Sequence, residues 1–243
     1  MKTAVILVAG MGTRLNDITK GEFPKPFLQI NEKPLIERSI ENLNFFGVER
    51  IILVTGHLKE FFEILSEKYD GIEIIENSDY SNTSSMGSFY VTKDLIKDED
   101  EILLLEGDLI YERKAIEILI NSKKKDAILL TEDKQMSDDY YFEINNDSIG
   151  KLTSNLNEIS GEYGEMTGLQ KLSNSLFMKM FETYEKLNNS KLAYESCLAE
   201  IAKTRKISYE KGNGILWSEI DNEYQLKRVM KKIYPKLVEK GEY

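Results

Sequence analysis

A glycine-containing stretch close to the amino terminus is the first candidate binding site in the sequence. The short apolar run 5–8 is typical of a buried strand, and Gly10 and Gly12 follow it at once. Glycine permits positive φ and a close approach to a ligand, and successive N–H groups in such a loop can bind an anion. Arg14 adds a forked donor for phosphate oxygens, and Lys25, with proline on both sides, adds an ammonium on a restricted backbone. The spacing predicts a cradle for a triphosphate.

Two well-known phosphate motifs do not describe this stretch. The pattern G-x-x-x-x-G-K-[ST] is absent, and the dinucleotide pattern G-x-G-x-x-G is only half present, because Leu15 stands where the third glycine should be. The glycines alone would suit a tight turn between any strand and helix. The addition of Arg14 and Lys25 favours anion binding.

Acidic residues end two later predicted strands. The apolar run 102–105 leads into Glu106-Gly107-Asp108, and a strand over 215–221 ends in Glu219-x-Asp221. Ligands of open α/β sheets bind beyond the carboxyl ends of the strands, so Asp108 falls where chemistry is expected. Strand alternation places the two later acids on one face. From residue types alone, either aspartate could instead cap the following helix.

The intervening elements alternate between strand and helix. We predict strands at 51–54, 71–75, 101–108 and 127–131, and helices starting near residues 35 and 57 and spanning 113–121. This order predicts parallel βαβ units with right-handed crossovers, and therefore an α/β fold with a Rossmann-like, mostly parallel central sheet flanked by helices. Later helices are predicted at 174–187, 191–203 and 222–240, within a single domain over residues 1–243.

Between residues 133 and 172 the pattern changes. Residues 138–144 alternate like an exposed strand, 145–148 form a turn, and 149–152 lead back. We interpret this region as a small β insertion that covers the site.

Composition limits the function classes. The 243 residues carry a net charge of −10, which argues against a nucleic-acid partner. Residues 1–40 hold six basic and four acidic residues, a balance of +2, which leaves −12 for the remainder. A basic island in an acidic protein suits an anionic small molecule.

The sequence also predicts where the protein works. There is no apolar run long enough for a membrane span, and the start runs directly into the glycine loop, so we expect no signal peptide and a cytoplasmic protein. The single Cys197 excludes an intrachain disulfide, and with one histidine it argues against structural zinc.

The residues of the first site also carry a family resemblance. Ala9-Gly10-x-Gly12-Thr13-Arg14-Leu15, followed by Pro24-Lys25-Pro26, resembles the signature of the nucleotidyltransferases that make nucleotide-activated sugars, alcohols and phosphonates. The resemblance extends over nearly the whole chain. It implies the nucleotidyltransferase fold, which is similar to that of A-type glycosyltransferases. The short chain looks most like the cytidylyltransferases for phosphocholine and 2-aminoethylphosphonate.

The resemblance implies roles for particular residues. It makes Lys25 and Arg14 catalytic. It places the polar stretch 77–88, by composition alone a surface loop, beside the nucleobase. The nucleotide would then be bound by Ala9, Gly10, Gly12, Thr13, Arg14, Lys25, Ser84, Ser85 and Ser88. It also implies Mg²⁺, a hard cation that prefers oxygen ligands, held by Asp108, Asp221 and Glu219.

The implied reaction is a transfer of CMP from CTP. An oxygen of a small aminoalkyl phosphonate or phosphate attacks the α-phosphorus, and pyrophosphate leaves. The acceptor is already ionised at neutral pH, so neither a strong general base nor a covalent intermediate is needed. Lys25 would neutralise charge near the α-phosphate, and Arg14 would hold the pyrophosphate.

The acceptor is expected to contact Asp139, Tyr141, Glu165 and Trp217. A quaternary ammonium prefers an aromatic cage, whereas a primary ammonium needs carboxylate or carbonyl acceptors. Acids cluster in this region, which favours 2-aminoethylphosphonate. Phosphocholine is the alternative, followed by a sugar 1-phosphate.

Two other classes share features with this sequence. A glycosyltransferase would have a similar nucleotide-binding plan, but it does not need a triphosphate loop. A non-catalytic nucleotide-binding regulator would not need all the implied catalytic groups. The sequence leaves open the oligomeric state, a homodimer included, and fusion to another domain.

Overall fold

The computed structural model describes residues 2–132 and 140–242. The strands within these residues are β1 (Thr3–Leu7), β2 (Gln29–Ile30), β3 (Lys33–Pro34), β4 (Arg50–Thr55), β5 (Ile72–Glu76), β6 (Glu101–Glu106), β7 (Leu109–Tyr111), β8 (Ala127–Thr131), β9 (Tyr141–Asn145), β10 (Ser148–Thr153), β11 (Tyr163–Ser173), β12 (Tyr209–Lys211) and β13 (Trp217–Glu219).

The helices lie between these strands and at the carboxyl-terminal end. They are α1 (Asn16–Thr19), α2 (Leu35–Phe45), α3 (Glu60–Lys68), α4 (Ser85–Tyr90), α5 (Lys93–Ile96), α6 (Lys114–Asn121), α7 (Asn174–Leu187), α8 (Tyr194–Ala202), α9 (Glu223–Arg228) and α10 (Tyr234–Glu239). Short 3₁₀ turns span Thr13–Leu15, Lys25–Phe27 and Leu156–Glu158, and a π-helical segment spans Val229–Ile233.

The central sheet is mostly parallel in its first half, as predicted. Strands β5, β4, β1 and β6 lie side by side and parallel, with Val5 of β1 opposite Ile52 of β4 and Leu104 of β6. The antiparallel β11 follows, then β8 and β12. The central strands are nearly continuous apolar runs because helices cover both of their faces.

Two apolar layers sandwich the sheet, and successive residues of β1 point into different layers. Val5 packs in the layer that contains Phe89 and Phe177. Ile6 packs in the opposite layer, with Ile40 and Phe62. This alternation is the period of two expected for a strand, and it rigidly orients the loop that follows β1.

The β insertion is anchored to the sheet. Strand β9 pairs with the first part of β11 and with β10, and the backbone N–H of Ile149 in β10 donates to the carbonyl of Ile207 at 2.9 Å. Strand β11 changes register between Met166 and Gln170, where Gly168 has φ +75°. At this bulge Gly168 lies against Glu106 at the end of β6 and Leu109 at the start of β7.

The carboxyl-terminal part differs from the prediction in two ways. The strand predicted over 215–221 is only β13, and it pairs antiparallel with β7 outside the central sheet. The helix predicted over 222–240 is divided into α9, a π segment and α10. Pro235, in the first turn of α10, removes a backbone donor and interrupts the regular ladder.

The polar stretch 77–88 was predicted as a loop, but its last residues form the start of α4. Ser84 is the N-cap, and Met86 and Phe89 are buried one helical turn apart. The apolar spacing of this short helix was present in the sequence but was hidden among serines.

Within residues 2–132 and 140–242, no helix has the length and apolar character needed to cross a membrane.

Cys197 is completely buried in α8, and burial raises the pKa of its thiol to about 12. A thiol with this pKa is almost entirely protonated at pH 8, and the thiolate is the reactive form. We therefore expect no reaction with a thiol-specific colorimetric reagent at pH 8 in the native state, and stoichiometric reaction in denaturant. Rapid labelling of the native protein would show that the packing around α8 opens readily.

Candidate active site

Three segments that are far apart in sequence meet at the carboxyl end of the central strands. These are the loop after β1, Asp108 after β6, and Asp221 after β13. The ladder between β7 and β13 brings the last two together, because Glu219 lies opposite Leu109 and the N–H of Ile220 donates to the carbonyl of Asp108 at 3.2 Å. The two aspartates therefore meet through this separate two-stranded ladder, and not through neighbouring strands of the central sheet.

Neither aspartate acts as a helix cap, the other reading that the residue types allowed. The chain continues from Asp108 into β7, and the N-cap of α9 is Asn222, whose side chain accepts from the N–H of Gln225. The side chain of Gln225 in turn accepts a 2.5 Å hydrogen bond from the N–H of Asp221. Helix α9 thus fixes the backbone that carries Asp221.

Lys25 lies at the centre of the site. Its Nζ donates to Asp108 Oδ2 at 2.5 Å and to Asp221 Oδ1, and lies 3.8 Å from Glu219 Oε1. The side chain is 8% exposed. Burial by itself would lower the pKa of Lys25, but attraction to the three carboxylates outweighs it and raises the pKa above its ordinary value. The ammonium is therefore charged at neutral pH.

Arg14 reaches the same cluster from the surface. Its side chain is 69% exposed, and its Nη1 lies 2.6 Å from Asp221 Oδ2. Burial would raise the pKa of Asp221, but Lys25 and Arg14 overcome this effect and lower it. Asp221 is consequently an ionised carboxylate shared between two cations.

Three cavities surround this cluster. The first, here called the glycine-loop cavity, has a volume of about 260 Å³. It contains five of the predicted nucleotide-binding residues, Gly10, Gly12, Thr13, Arg14 and Lys25, and is also lined by Leu7, Val8, Pro26, Gly107, Asp108 and Asp221.

The second, the hydroxyl cavity, has a volume of about 390 Å³. It contains the other four predicted nucleotide-binding residues, Ala9, Ser84, Ser85 and Ser88. Further hydroxyl groups come from Tyr80, Ser81 and Thr83, and charged groups from Glu106, Asp108, Lys191 and Glu195. The nine residues predicted to bind the nucleotide are therefore divided by the fold between two adjoining cavities.

The third, the acidic cavity, also has a volume of about 260 Å³. Its charged lining residues are Arg14, Glu106, Glu195, Glu219 and Asp221, and its other lining residues include Tyr140, Met166, Thr167, Gly168, Trp217 and Gln225. Two cavities share Arg14 and Asp221 at their boundary, the acidic and the glycine-loop cavity.

Two of the predicted acceptor contacts do not line the acidic cavity. Tyr141 is 3% exposed and packs edge-on against Tyr163, and Glu165 is 1% exposed within β11. Their chain neighbours Tyr140 and Met166 line the cavity instead, because adjacent residues of a strand point to opposite faces. Trp217 does line it, and Asp139 lies outside the described residues.

A group of three carboxylates could hold a divalent cation. One oxygen from each of Glu106, Asp108 and Glu219 lies within 4.8 Å of the others. Asp108 Oδ1 is buried and has no hydrogen-bond partner in the described part of the chain. Burial, with repulsion from neighbouring carboxylates, raises the pKa values of Glu106 and Glu219. Crowded carboxylates with an unsatisfied oxygen fit Mg²⁺, whose ligands are hard oxygens.

This group differs from the predicted magnesium ligands in one member. Glu106 takes part, whereas Asp221 is held by Lys25 and Arg14. Glu106 and Glu195 were not selected from the sequence as site residues, although both line two of the cavities. The acid–glycine–acid pattern of residues 106–108 was a usable signal for Glu106, whereas no local pattern marked Glu195.

Glycine is required at two positions around the cluster. A Cβ on Gly107 would lie 2.3 Å from Val8 Cγ1 and 3.0 Å from the carbonyl oxygen of Leu7, so only glycine lets β6 end against β1. Gly12 has φ +60°, and a Cβ there would lie 3.1 Å from Lys25 Cβ. Both positions keep Lys25 and Asp108 at their observed separation.

The chain is similar to known proteins in family, in sequence and in fold. A family model described as MobA-like NTP transferase domain matches residues 4–208. The chain is 38% identical over 107 residues to a 2-aminoethylphosphonate cytidylyltransferase of Lancefieldella rimae, which covers 44% of this chain and 43% of that protein. It is 44% identical over 91 residues to a choline-phosphate cytidylyltransferase of Streptococcus pneumoniae. This match covers 37% of this chain and 39% of that protein. The matches thus span about two fifths of each relative's length.

A solved structure confirms the fold over almost the whole chain. The inositol-1-phosphate CTP transferase from T. maritima superimposes with a TM-score of 0.81 and 21% sequence identity, covering 96% of both chains. At this identity the similarity concerns the fold alone.

Replacement of Gly12 by alanine should destabilise the protein, because an alanine pays about 1–2 kcal/mol in the left-handed region and its methyl would press on Lys25. Urea unfolding followed by circular dichroism measures the change. Gly10→Ala is the matched control: its φ is not positive and a Cβ there meets no atom within 4 Å, so a change below about 0.5 kcal/mol is expected. Equal stability of the two variants would contradict the loop geometry.

Proposed function

Because the chain belongs to the MobA-like NTP transferase domain family, we propose that it is a cytidylyltransferase. It transfers CMP from CTP to a small aminoalkyl phosphonate or phosphate, 2-aminoethylphosphonate in the first place, and releases pyrophosphate. The observation that carries this proposal is the arrangement of three adjoining cavities around the Lys25 cluster. In it, a cavity that combines the glycine loop with Arg14 and Lys25, for phosphates, meets a cavity lined by four carboxylates, for an ammonium.

The glycine-loop cavity would hold the triphosphate. An ammonium has three N–H donors, and Lys25 uses two of them on Asp108 and Asp221, which leaves one for a phosphate oxygen. Arg14, at the exposed rim, would hold the departing pyrophosphate with its forked donors. The hydroxyl cavity next to it supplies short donors and acceptors for the ribose and the base.

Transfer then depends on position and charge. A phosphonate or phosphate acceptor is already an anion at neutral pH, so its oxygen can attack the α-phosphorus without a general base. Lys25 would stabilise the charge that develops on the α-phosphate, and its raised pKa keeps it cationic at neutral pH. Mg²⁺, for which Glu106, Asp108 and Glu219 are the fitting ligands, would supply further neutralisation of phosphate oxygens when bound.

The acidic cavity would hold the amino end of the acceptor. It is lined by four carboxylates and one guanidinium, which suits a small cation. A primary ammonium can donate three hydrogen bonds to such groups. Phosphocholine remains the second candidate, because Trp217 and Tyr140 line the same cavity and an aromatic face attracts a quaternary ammonium.

The substrates can be tested in a pyrophosphate-release assay with CTP and three acceptors side by side: 2-aminoethylphosphonate, phosphoethanolamine and phosphocholine. We expect turnover with CTP and the highest kcat/KM for 2-aminoethylphosphonate. A clear preference for phosphocholine would contradict the assignment of 2-aminoethylphosphonate as the acceptor. Turnover of UTP or dTTP with a sugar 1-phosphate, and none of CTP, would contradict the cytidylyl transfer itself.

Replacement of Lys25 by methionine should lower kcat by about 10²–10³, the usual effect of removing one electrostatic stabiliser of the transition state. The same assay measures it, with circular dichroism to verify that the variant folds. Lys33→Met is the control, since Lys33 is 40% exposed and pairs with Glu41 away from the cavities. A Lys25→Met enzyme within tenfold of the wild type would exclude a catalytic role for the ammonium.

A further inference from the structure

Two carboxylates form a common wall between the hydroxyl cavity and the acidic cavity. Glu106 and Glu195 line both cavities, although one ends β6 and the other lies in the first turn of α8. Any pair of substrates in these cavities would meet at this wall. The orientation of the two side chains therefore shapes the boundary between the two cavities.

Glu106 is held by a tyrosine and by the shape of β11. The hydroxyl of Tyr194, which is completely buried, donates to Glu106 Oε1 at 2.5 Å. A Cβ on Gly168 would lie 2.9 Å from Glu106 Oε2, so the glycine in the bulge of β11 leaves room for the second oxygen. The carboxylate is thereby restricted from two sides.

Glu195 is held from the opposite direction by Ser85. The Oγ of Ser85 accepts a 3.0 Å hydrogen bond from the N–H of Tyr194 and donates to Glu195 Oε2 at 3.4 Å. The first hydrogen bond satisfies one of the N–H groups that a helix start leaves without an intrahelical partner. The second hydrogen bond orients the carboxylate of Glu195.

The start of α4 and the segment before α8 are also joined through the backbone. The N–H of Ser84 donates to the carbonyl of Ser190 at 3.0 Å, and the N–H of Met86 donates to that of Leu192 at 3.3 Å. The two helix starts are therefore one interlocked unit, with the Ser85 hydroxyl inside it.

We propose that Ser85 is a positioning residue for the acceptor, and not a contact of the nucleobase. Its proton is committed to Glu195 and one lone pair to Tyr194, so its hydroxyl serves the wall of the acidic cavity. Ser85 orients Glu195 to receive the ammonium of the acceptor, while the Tyr194 hydroxyl fixes Glu106 in the same wall. This inference rests on the proposed function, and it reassigns Ser85 from the nucleotide to the acceptor.

The test is the effect of Ser85→Ala on the two Michaelis constants. Loss of a hydrogen bond to a charged group should raise KM for 2-aminoethylphosphonate about tenfold and leave KM for CTP within about twofold. Ser85→Thr keeps the hydroxyl and should restore the acceptor KM. Ser66→Ala is the matched control, because Ser66 is an exposed helix serine that bonds only to the carbonyl of Glu63 among the described residues. It should change neither constant.

A double-mutant cycle separates positioning from a general structural effect. In a Glu195→Gln background, which should itself raise the acceptor KM, Ser85→Ala should have little further effect, because the two residues act through one interaction. If Ser85→Ala does not fold, Ser85→Cys keeps the side-chain volume with a weak donor and should show the same acceptor-specific rise.

Each alternative outcome has one meaning. An equal rise in KM for CTP would identify Ser85 as a nucleotide contact and overturn the inference. Unchanged constants in an active Ser85→Ala enzyme would also overturn it while leaving the proposed function intact. A folded wild-type protein that turns over CTP with none of the ammonium-bearing acceptors would overturn the proposed function and this inference with it.

Discussion

The site depends on one buried cation among three carboxylates. Lys25 contacts Asp108 and Asp221 and lies close to Glu219, and these four residues come from three separate parts of the chain. Without the ammonium, the carboxylates would repel one another in a poorly solvated place. Without the carboxylates, burial would lower the pKa of Lys25 and favour its neutral amine. The cluster therefore holds the loop after β1, the end of β6 and the end of β13 at one point.

The fold brings Lys25, Asp108 and Asp221 together by connections that the strand order of the central sheet does not reveal. The central sheet carries the glycine loop and Asp108, but Asp221 arrives on a short ladder between β7 and β13, clamped by Gln225 of α9. Gly107 permits the close approach of β6 to the loop. These constraints keep Lys25 charged and fixed, and in the proposed reaction its remaining N–H would donate to a phosphate oxygen.

The three cavities share walls, which links their chemistry. A triphosphate in the glycine-loop cavity and an ammonium in the acidic cavity would both lie beside Asp221 and Arg14. The hydroxyl cavity and the acidic cavity are separated by Glu106 and Glu195. In the proposed reaction, these shared residues set the distance between donor and acceptor. Residues that orient them, such as Ser85, then influence specificity without touching the substrate.

Much of this protein was predictable from local sequence. Apolar runs and turn residues identified the parallel strands, and the loop from Gly10 to Lys25 was recognisable from residue types and spacing, because strand burial and glycine conformation are local properties. The tertiary structure decided the rest. Long-range packing sets the phase of an irregular strand, so it alone placed Tyr140 and not Tyr141 at the acidic cavity. The ladder between β7 and β13 and the interlock of α4 with α8 join residues about 110 positions apart, and no local pattern encodes such pairings.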